Sequence, residues 1–251
     1  MRSLLHRMNP SVKFILITVC MFTMAFFFDP KTPLIFWAGV ILLQLLFSQT
    51  DWKKWFLLMA PFLIMAFGYF WTTLVFAKET SGPIIWSIGS VGVTEIQLDH
   101  AFSLSFRVLA FSSLSLLFAL TTNPVTFILS LMQQLKLSPK IAYGILVGFQ
   151  FLPVIKDEFI QIQQAQRLRG IVQKKNALQR LFSTRLVLIP LLAGAVRKAE
   201  RSAFAMEARG FTGERRSSFF HVISVGKVDT LLVVLFLFIL VLSCTNRFWL
   251  S

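Results

Sequence analysis

The sequence predicts an all-α polytopic membrane protein, and three observations predict it. The chain of 251 residues is 56% hydrophobic with 28 Phe, and only 14% charged, against about a quarter in soluble domains. Five apolar runs recur along it, four before residue 121 and one at the end. Between the last two runs lies a long, more polar stretch whose apolar residues recur at helical spacing. The expected division is a membrane region of four transmembrane helices over 1–120, a cytoplasmic or interfacial helical region over 121–227, and a C-terminal transmembrane helix over 228–251.

The first run, roughly Val12–Phe28, carries the basic residues Arg2, Arg7 and Lys13 before or at its start and so resembles a signal peptide. It ends in Phe26-Phe27-Phe28-Asp29-Pro30, with no small-residue cleavage pattern, and is expected to stay as a first span. The others are Leu34–Phe47, which is short and extends into its flanks, then Trp55–Ala77, Ala101–Leu120 and Val228–Phe248. A helix of ~20 residues crosses a ~30 Å hydrocarbon core. In lipid each run must be helical to satisfy its own backbone hydrogen bonds.

The net charge is +14 and the isoelectric point about 10.5, which raises nucleic-acid binding as a first idea. The distribution of charge argues against it. A cytoplasmic N-terminus places Lys53, Lys54 and everything from Thr121 to Lys227 inside, leaving Asp29–Pro33 and Lys78–His100 outside. The second outer loop holds Glu79, Glu95 and Asp99 against Lys78 alone, so Lys and Arg collect on the inner side, as topology demands. A multi-pass membrane protein with a cytoplasmic N-terminus follows, with no nucleic-acid partner. In the same loop "SIGSVGVTEIQ" suggests a short hairpin or an irregular cap. Arg107, early in the fourth span, could snorkel to the outer interface or pair with an acidic residue of that loop, and snorkelling is the preferred reading. No other charge is expected deep in a span.

Chemistry-bearing clusters are not visible. Cys20 and Cys244 lie in apolar runs without metal-ligand spacing, and His6, His100 and His221 are scattered. No G-x-x-x-x-G-K-[ST] motif appears, so the chain has no means of its own to hydrolyse ATP. Catalytic, cofactor-binding and metal residues are therefore all expected to be none.

In the long inner segment, "TTNPVTF" starts a helix running to Leu135, and Ser138-Pro139 starts another. Ile141–Leu152 is apolar enough to touch the membrane, and Pro153 is expected to interrupt it. "DEFIQIQQAQRLRG" then reads as a helix stopped by Gly170. A basic connector with Lys174, Lys175, Arg180 and Arg185 leads to a helix expected from Pro190 to Ala208. On it Leu192, Ala195, Val196, Ala199, Ala203 and Met206 share a face of mostly small residues, which lets a neighbouring helix pack closely. Arg197, Lys198, Arg201 and Arg209 lie on the other side. Asp157-Glu158, next to Pro153, is expected to serve as helix-N-terminal charge.

Two helices thus end in Arg-Gly: Leu168-Arg169-Gly170 and Ala208-Arg209-Gly210. Glycine there stops a helix, and arginine complements the dipole. Two such ends in one segment also suit a docking surface, where guanidinium forks onto carboxylates or carbonyls of a partner.

The chain resembles the transmembrane T component of energy-coupling factor (ECF) transporters, the EcfT/CbiQ-like family. "LHRMNPSVKF", "TTNPVTFILSL", "FLPVIKDEFIQIQQAQRLRG" and "PLLAGAVRKAERSAFAMEARGF" match the family's segments in order across nearly the whole chain. The resemblance implies a non-catalytic subunit of an ATP-driven importer. Its partners would be two ABC-type ATPase subunits, which bind the ATP, and a small substrate-binding membrane subunit (the S component). That S component would capture a vitamin or a transition-metal ion. The resemblance makes 121–227 a coupling-helix region, with Leu168, Arg169, Gly170, Ala208, Arg209 and Gly210 docking on the ATPases. Ala195, Ala199, Ala203 and Met206 form a supporting face. The family carries Ala before the Arg; Ala208 matches it, and Leu168 departs by adding bulk.

The alternative is a self-contained secondary carrier or channel, which needs polar groups at mid-membrane or paired broken helices. A membrane enzyme would need a cluster of acidic residues, His or Ser at the interface.

Overall fold

The computed structural model describes residues 4–27, 29–47, 52–76, 84–88, 91–170, 177–215, 219 and 222–249. Arg2, Lys78, Glu79, Lys174, Lys175 and His221 lie outside that set, as do the side chains of Arg7 and Arg180. The elements are α1 (Leu4–Arg7), α2 (Pro10–Ala25), α3 (Lys31–Phe47), α4 (Trp52–Phe76), β1 (Ile84–Ile88), β2 (Val91–Thr94), α5 (Glu95–Thr121), α6 (Pro124–Gln134), α7 (Pro139–Leu168), α8 (Ala177–Ala208) and α9 (Lys227–Trp249). They fall into two compact units, one of residues 1–130 with 223–251 and one of residues 131–222.

In the first unit α2, α3, α4, α5 and α9 coincide with the five apolar runs. Three of them, α4, α5 and α9, are long and apolar enough to cross a membrane. Helices α2 and α3 have 16 and 17 residues and reach only about 25 Å at 1.5 Å per residue. Helix α5 is the centre, packed on α2, α3 and α4. Half of its most apolar stretch is buried inside the protein, against 11% for α4. What α4 leaves uncovered, such as Leu57, Ile64 and Phe67, is apolar as lipid requires.

Small residues let these helices approach. Ser103, Ser105, Ser112 and Ser113 of α5 are buried. The Ser105 hydroxyl lies 2.8 Å from its own Ala101 carbonyl and 3.1 Å from the Ala66 carbonyl of α4. A Cβ on Gly39 of α3 would lie 2.6 Å from Ile239 Cγ2 of α9, so only glycine permits that contact. Of the two forms expected for the segment before α5, the hairpin is the one present: β1 pairs antiparallel with β2, and Thr94 leads into α5. Arg107 is half-buried and donates to the Phe27 carbonyl just beyond α2, an acceptor that the end of that helix leaves unpaired.

Two further charges are buried in the first turns of α2 and α9, at the ends of the spans rather than deep in them. Lys13 is only 2% exposed. Its ammonium donates to the Leu5 carbonyl at 2.6 Å and to the Thr121 hydroxyl at 3.0 Å. Asp229, equally buried, accepts from the backbone N–H groups of Asn9 and Gly226, each at 2.7 Å. The Ser11 hydroxyl meets that of Ser130 on α6 at 2.7 Å. The start of α2 is thereby tied to α1, α5, α6 and α9. Burying these groups is tolerable because each has charge-assisted partners.

In the second unit the break expected at Pro153 and the helix start expected at Pro190 are both absent. Helix α7 runs unbroken through Pro153, and α8 begins at Ala177 and runs through Pro190. A proline inside a helix removes one N–H and frees the carbonyl four residues back, costing about 3 kcal/mol. For Pro190 that carbonyl belongs to Leu186, and the Nε2 of Gln166 on α7 lies 3.5 Å from it. A neighbour thus supplies a donor in place of the missing one.

Candidate functional site

Both Arg-Gly ends close as glycine-capped helices. At the end of α8 the Gly210 N–H donates to the Glu207 carbonyl at 2.9 Å, and the Phe211 N–H to the Met206 carbonyl at 3.0 Å. Those two bonds make a Schellman motif. At the end of α7 the Gly170 N–H donates to the Arg167 carbonyl at 3.0 Å. Gly170 and Gly210 have φ of +75° and +79°, the left-handed region that favours glycine. A Cβ at either would meet nothing within 4 Å. Glycine is there for the backbone conformation, not for space.

The arginines do something the caps do not need. Leu168, Arg169, Ala208 and Arg209 are all exposed, Leu168 by 91%. Neither guanidinium has an ion-pair or hydrogen-bond partner among the described residues. Each helix end therefore presents five free N–H donors beside a turn of backbone that is already satisfied.

The two ends are not brought together. Along α7, Tyr143, Glu158 and Gln166 meet, in that order, Phe211, Lys198 and Leu186. The order along α8 is reversed, so the two helices run antiparallel. Arg169 lies near Leu186, and Arg209 is more than twenty residues further along α8. At 1.5 Å per residue the two arginines stand roughly 30 Å apart.

The α8 end is also braced. The Phe211 ring packs edge-on against Tyr143 with centroids 5.3 Å apart. Gly213, at φ +73°, lies against the Lys140 side chain, and Arg215 donates to the Lys136 carbonyl. Residues after the cap thus fold back onto the start of α7.

The expected small-residue face is not where α7 packs. The covered stripe of α8 runs through Val187, Leu191, Gly194, Lys198 and Ser202. Ala195 and Met206 flank it, half-buried, while Ala199 and Ala203 face outward. Gly194 explains the offset, since a Cβ there would lie 2.7 Å from Glu158 Oε1 and a helix with no Cβ allows the closest approach. Glu158 is likewise not helix-N-terminal. It lies well inside α7 and pairs with Lys198 at 2.5 Å, each side chain 26% exposed. The sequence reading missed this pair. The signal available was spacing, since Glu158 precedes Arg169, and Lys198 precedes Arg209, by the same eleven residues. Among the described residues no group of three or more His, Cys, Asp or Glu could hold a metal ion.

Comparison with known proteins adds the family. The model of the CbiQ family, described as cobalt transport protein, matches residues 1–220. The chain is similar to the energy-coupling factor transporter transmembrane protein EcfT of Streptococcus thermophilus, at 30% identity over 164 residues. That match spans 62% of either chain, just under two thirds. It is similar also to the proteins of the same name from Streptococcus equi subsp. equi and Bacillus subtilis. The former is 28% identical over 93% of this chain and 88% of the relative. The latter is 29% identical over 92% of this chain and 89% of the relative.

Proposed function

The chain belongs to the CbiQ family of cobalt transport proteins, and from that premise we propose that it is the transmembrane T subunit of an ECF-type importer. It couples ATP hydrolysis by two partner ABC-type ATPases to uptake of a vitamin or transition-metal ion held by a separate S component. The observation that carries this is the pair of exposed Arg-Gly helix ends, each closed by backbone hydrogen bonds without help from the arginine side chain. A separation of roughly 30 Å suits two grooves on two subunits better than one shared site.

The mechanism is mechanical. Arg169 and Arg209 each fork onto acceptors in one ATPase, where the exposed backbone turn also fits. Nucleotide-driven closure of the ATPase pair displaces one helix end relative to the other. The antiparallel α7–α8 pair passes that displacement on to the S component in the membrane. This chain contributes no catalytic group and binds no nucleotide. Its N-terminus lies in the cytoplasm, because Lys53, Lys54 and the basic segment 121–227 then share the inner side.

A self-contained carrier gains no support from the buried charges. Lys13 and Asp229 lie in the first turns of α2 and α9 and are occupied by hydrogen bonds within the fold.

Arg209→Glu tests the assignment. Membrane insertion is unchanged, while ATP hydrolysis by the assembled complex no longer drives uptake. Normal uptake in that variant would remove Arg209 from the mechanism.

A further inference from the structure

Resting on that reading, we infer that the Glu158–Lys198 pair is a register pin between the two helices that carry the docking arginines. Three observations on different residues converge on it. The pair is a direct ion contact of 2.5 Å between α7 and α8, with both side chains about three-quarters covered. It sits at the tightest glycine approach of the two helices, since a Cβ on Gly194 would run into the Glu158 carboxylate. It is equidistant from the two docking ends. Eleven residues lead from Glu158 to Arg169, and eleven from Lys198 to Arg209, so each arm is roughly 16 Å of helix.

The physical need is clear from the rest of the interface. At the Gln166 end, the contact described is one side-chain amide at 3.5 Å from a carbonyl. At the Phe211 end the ring contact and the Arg215 donation to the Lys136 carbonyl are made by residues beyond the end of α8, not by the helix itself. Apolar and small surfaces set distance between helices but not axial position. A charge pair sets axial position, because moving by one helical turn separates the charges by about 5.4 Å. Glu158 and Lys198 are positioning residues: they hold the two arginines at one separation, so that displacing one end moves the other. Without the pin, α8 slips along α7 and absorbs the displacement.

The test measures the separation of the ends directly and needs no knowledge of the transported substrate. Spin labels are placed at Ala165→Cys and Ala205→Cys, both exposed, in the full chain with Cys20 and Cys244 replaced, reconstituted in lipid nanodiscs. The wild-type pair gives one narrow distance distribution. Glu158→Lys and Lys198→Glu each broaden it or shift it by several Å, and the double swap narrows it again. Gly194→Ala, which displaces only the tip of the Glu158 side chain, broadens it less than either reversal.

Unchanged distributions in both single reversals overturn the pin. So does a double swap as broad as the singles, since loss of packing alone is not rescued by exchanging the charges. The outcome is separable from the functional reading. If the ATPases failed to bind the wild-type chain, the distances would still report the pin. If they bound and every variant kept its narrow distance, only the pin would be lost.

Discussion

In the unit of residues 1–130 and 223–251, the buried charges Lys13 and Asp229 find partners within the fold. Lys13 is held by Leu5 and Thr121, and Asp229 by the N–H groups of Asn9 and Gly226. In the unit of residues 131–222, the arginines at two helix ends are exposed, and their caps close without them. A polar group satisfied inside the chain is part of the fold. One left exposed at an already completed helix end is available to something else. The difference predicts that changes in the first unit act on stability, and that changes at the Arg-Gly ends act on assembly.

The largest effect belongs to Asp229→Ala. It removes the acceptor of two short charge-assisted bonds and strands the buried Asn9 N–H, costing about 3 kcal/mol. Thermal unfolding in detergent should show a clear fall in Tm, and Lys13→Met should approach it. A Tm equal to wild type would mean that this network does not hold the unit together. Next comes Gly39→Val, where the Cβ would lie 2.6 Å from Ile239 Cγ2. Overpacking of that kind costs about 1–3 kcal/mol. The same unfolding measurement checks it, and Ile239→Ala should partly rescue it.

Effects in the second unit are smaller on the same scale. Gly210→Ala meets no steric obstacle but must hold a left-handed residue at φ +79°, which costs about 1 kcal/mol. Fraying of the last turn of α8, read by hydrogen exchange at Phe211, is its signature. Arg209→Glu comes last. It should change Tm by an amount within about 0.5 kcal/mol in stability, as exposed surface substitutions do, yet abolish coupling. A large loss of Tm in that variant would erase the contrast between the units.

The parts of the fold legible in the sequence were those encoded locally. Five apolar runs marked five helices, "SIGSVGV" marked the hairpin, and Gly170 and Gly210 marked the two helix ends. Parts encoded by distant residues were not legible. Lys13 read as an ordinary positive flank because Thr121 is more than a hundred residues away. Pro153 read as a break and Pro190 as a helix start because local propensity disfavours proline inside a helix by about 3 kcal/mol. In α8 a glutamine from another helix lies against the carbonyl that Pro190 frees. The stripe of α8 that meets α7 was not legible, because Gly194, with no side chain, adds nothing to an apolar periodicity yet admits the closest neighbour.

The same contrast decides the central claim. Tagged wild-type chain, extracted in mild detergent from cells expressing the complete transporter, should retain two ABC-type ATPase subunits. The variant carrying both Arg169→Glu and Arg209→Glu should insert and remain folded with an unchanged Tm but retain none. If the double variant holds its ATPases as the wild type does, or the wild type recovers no ATPase, the exposed helix ends are not docking elements.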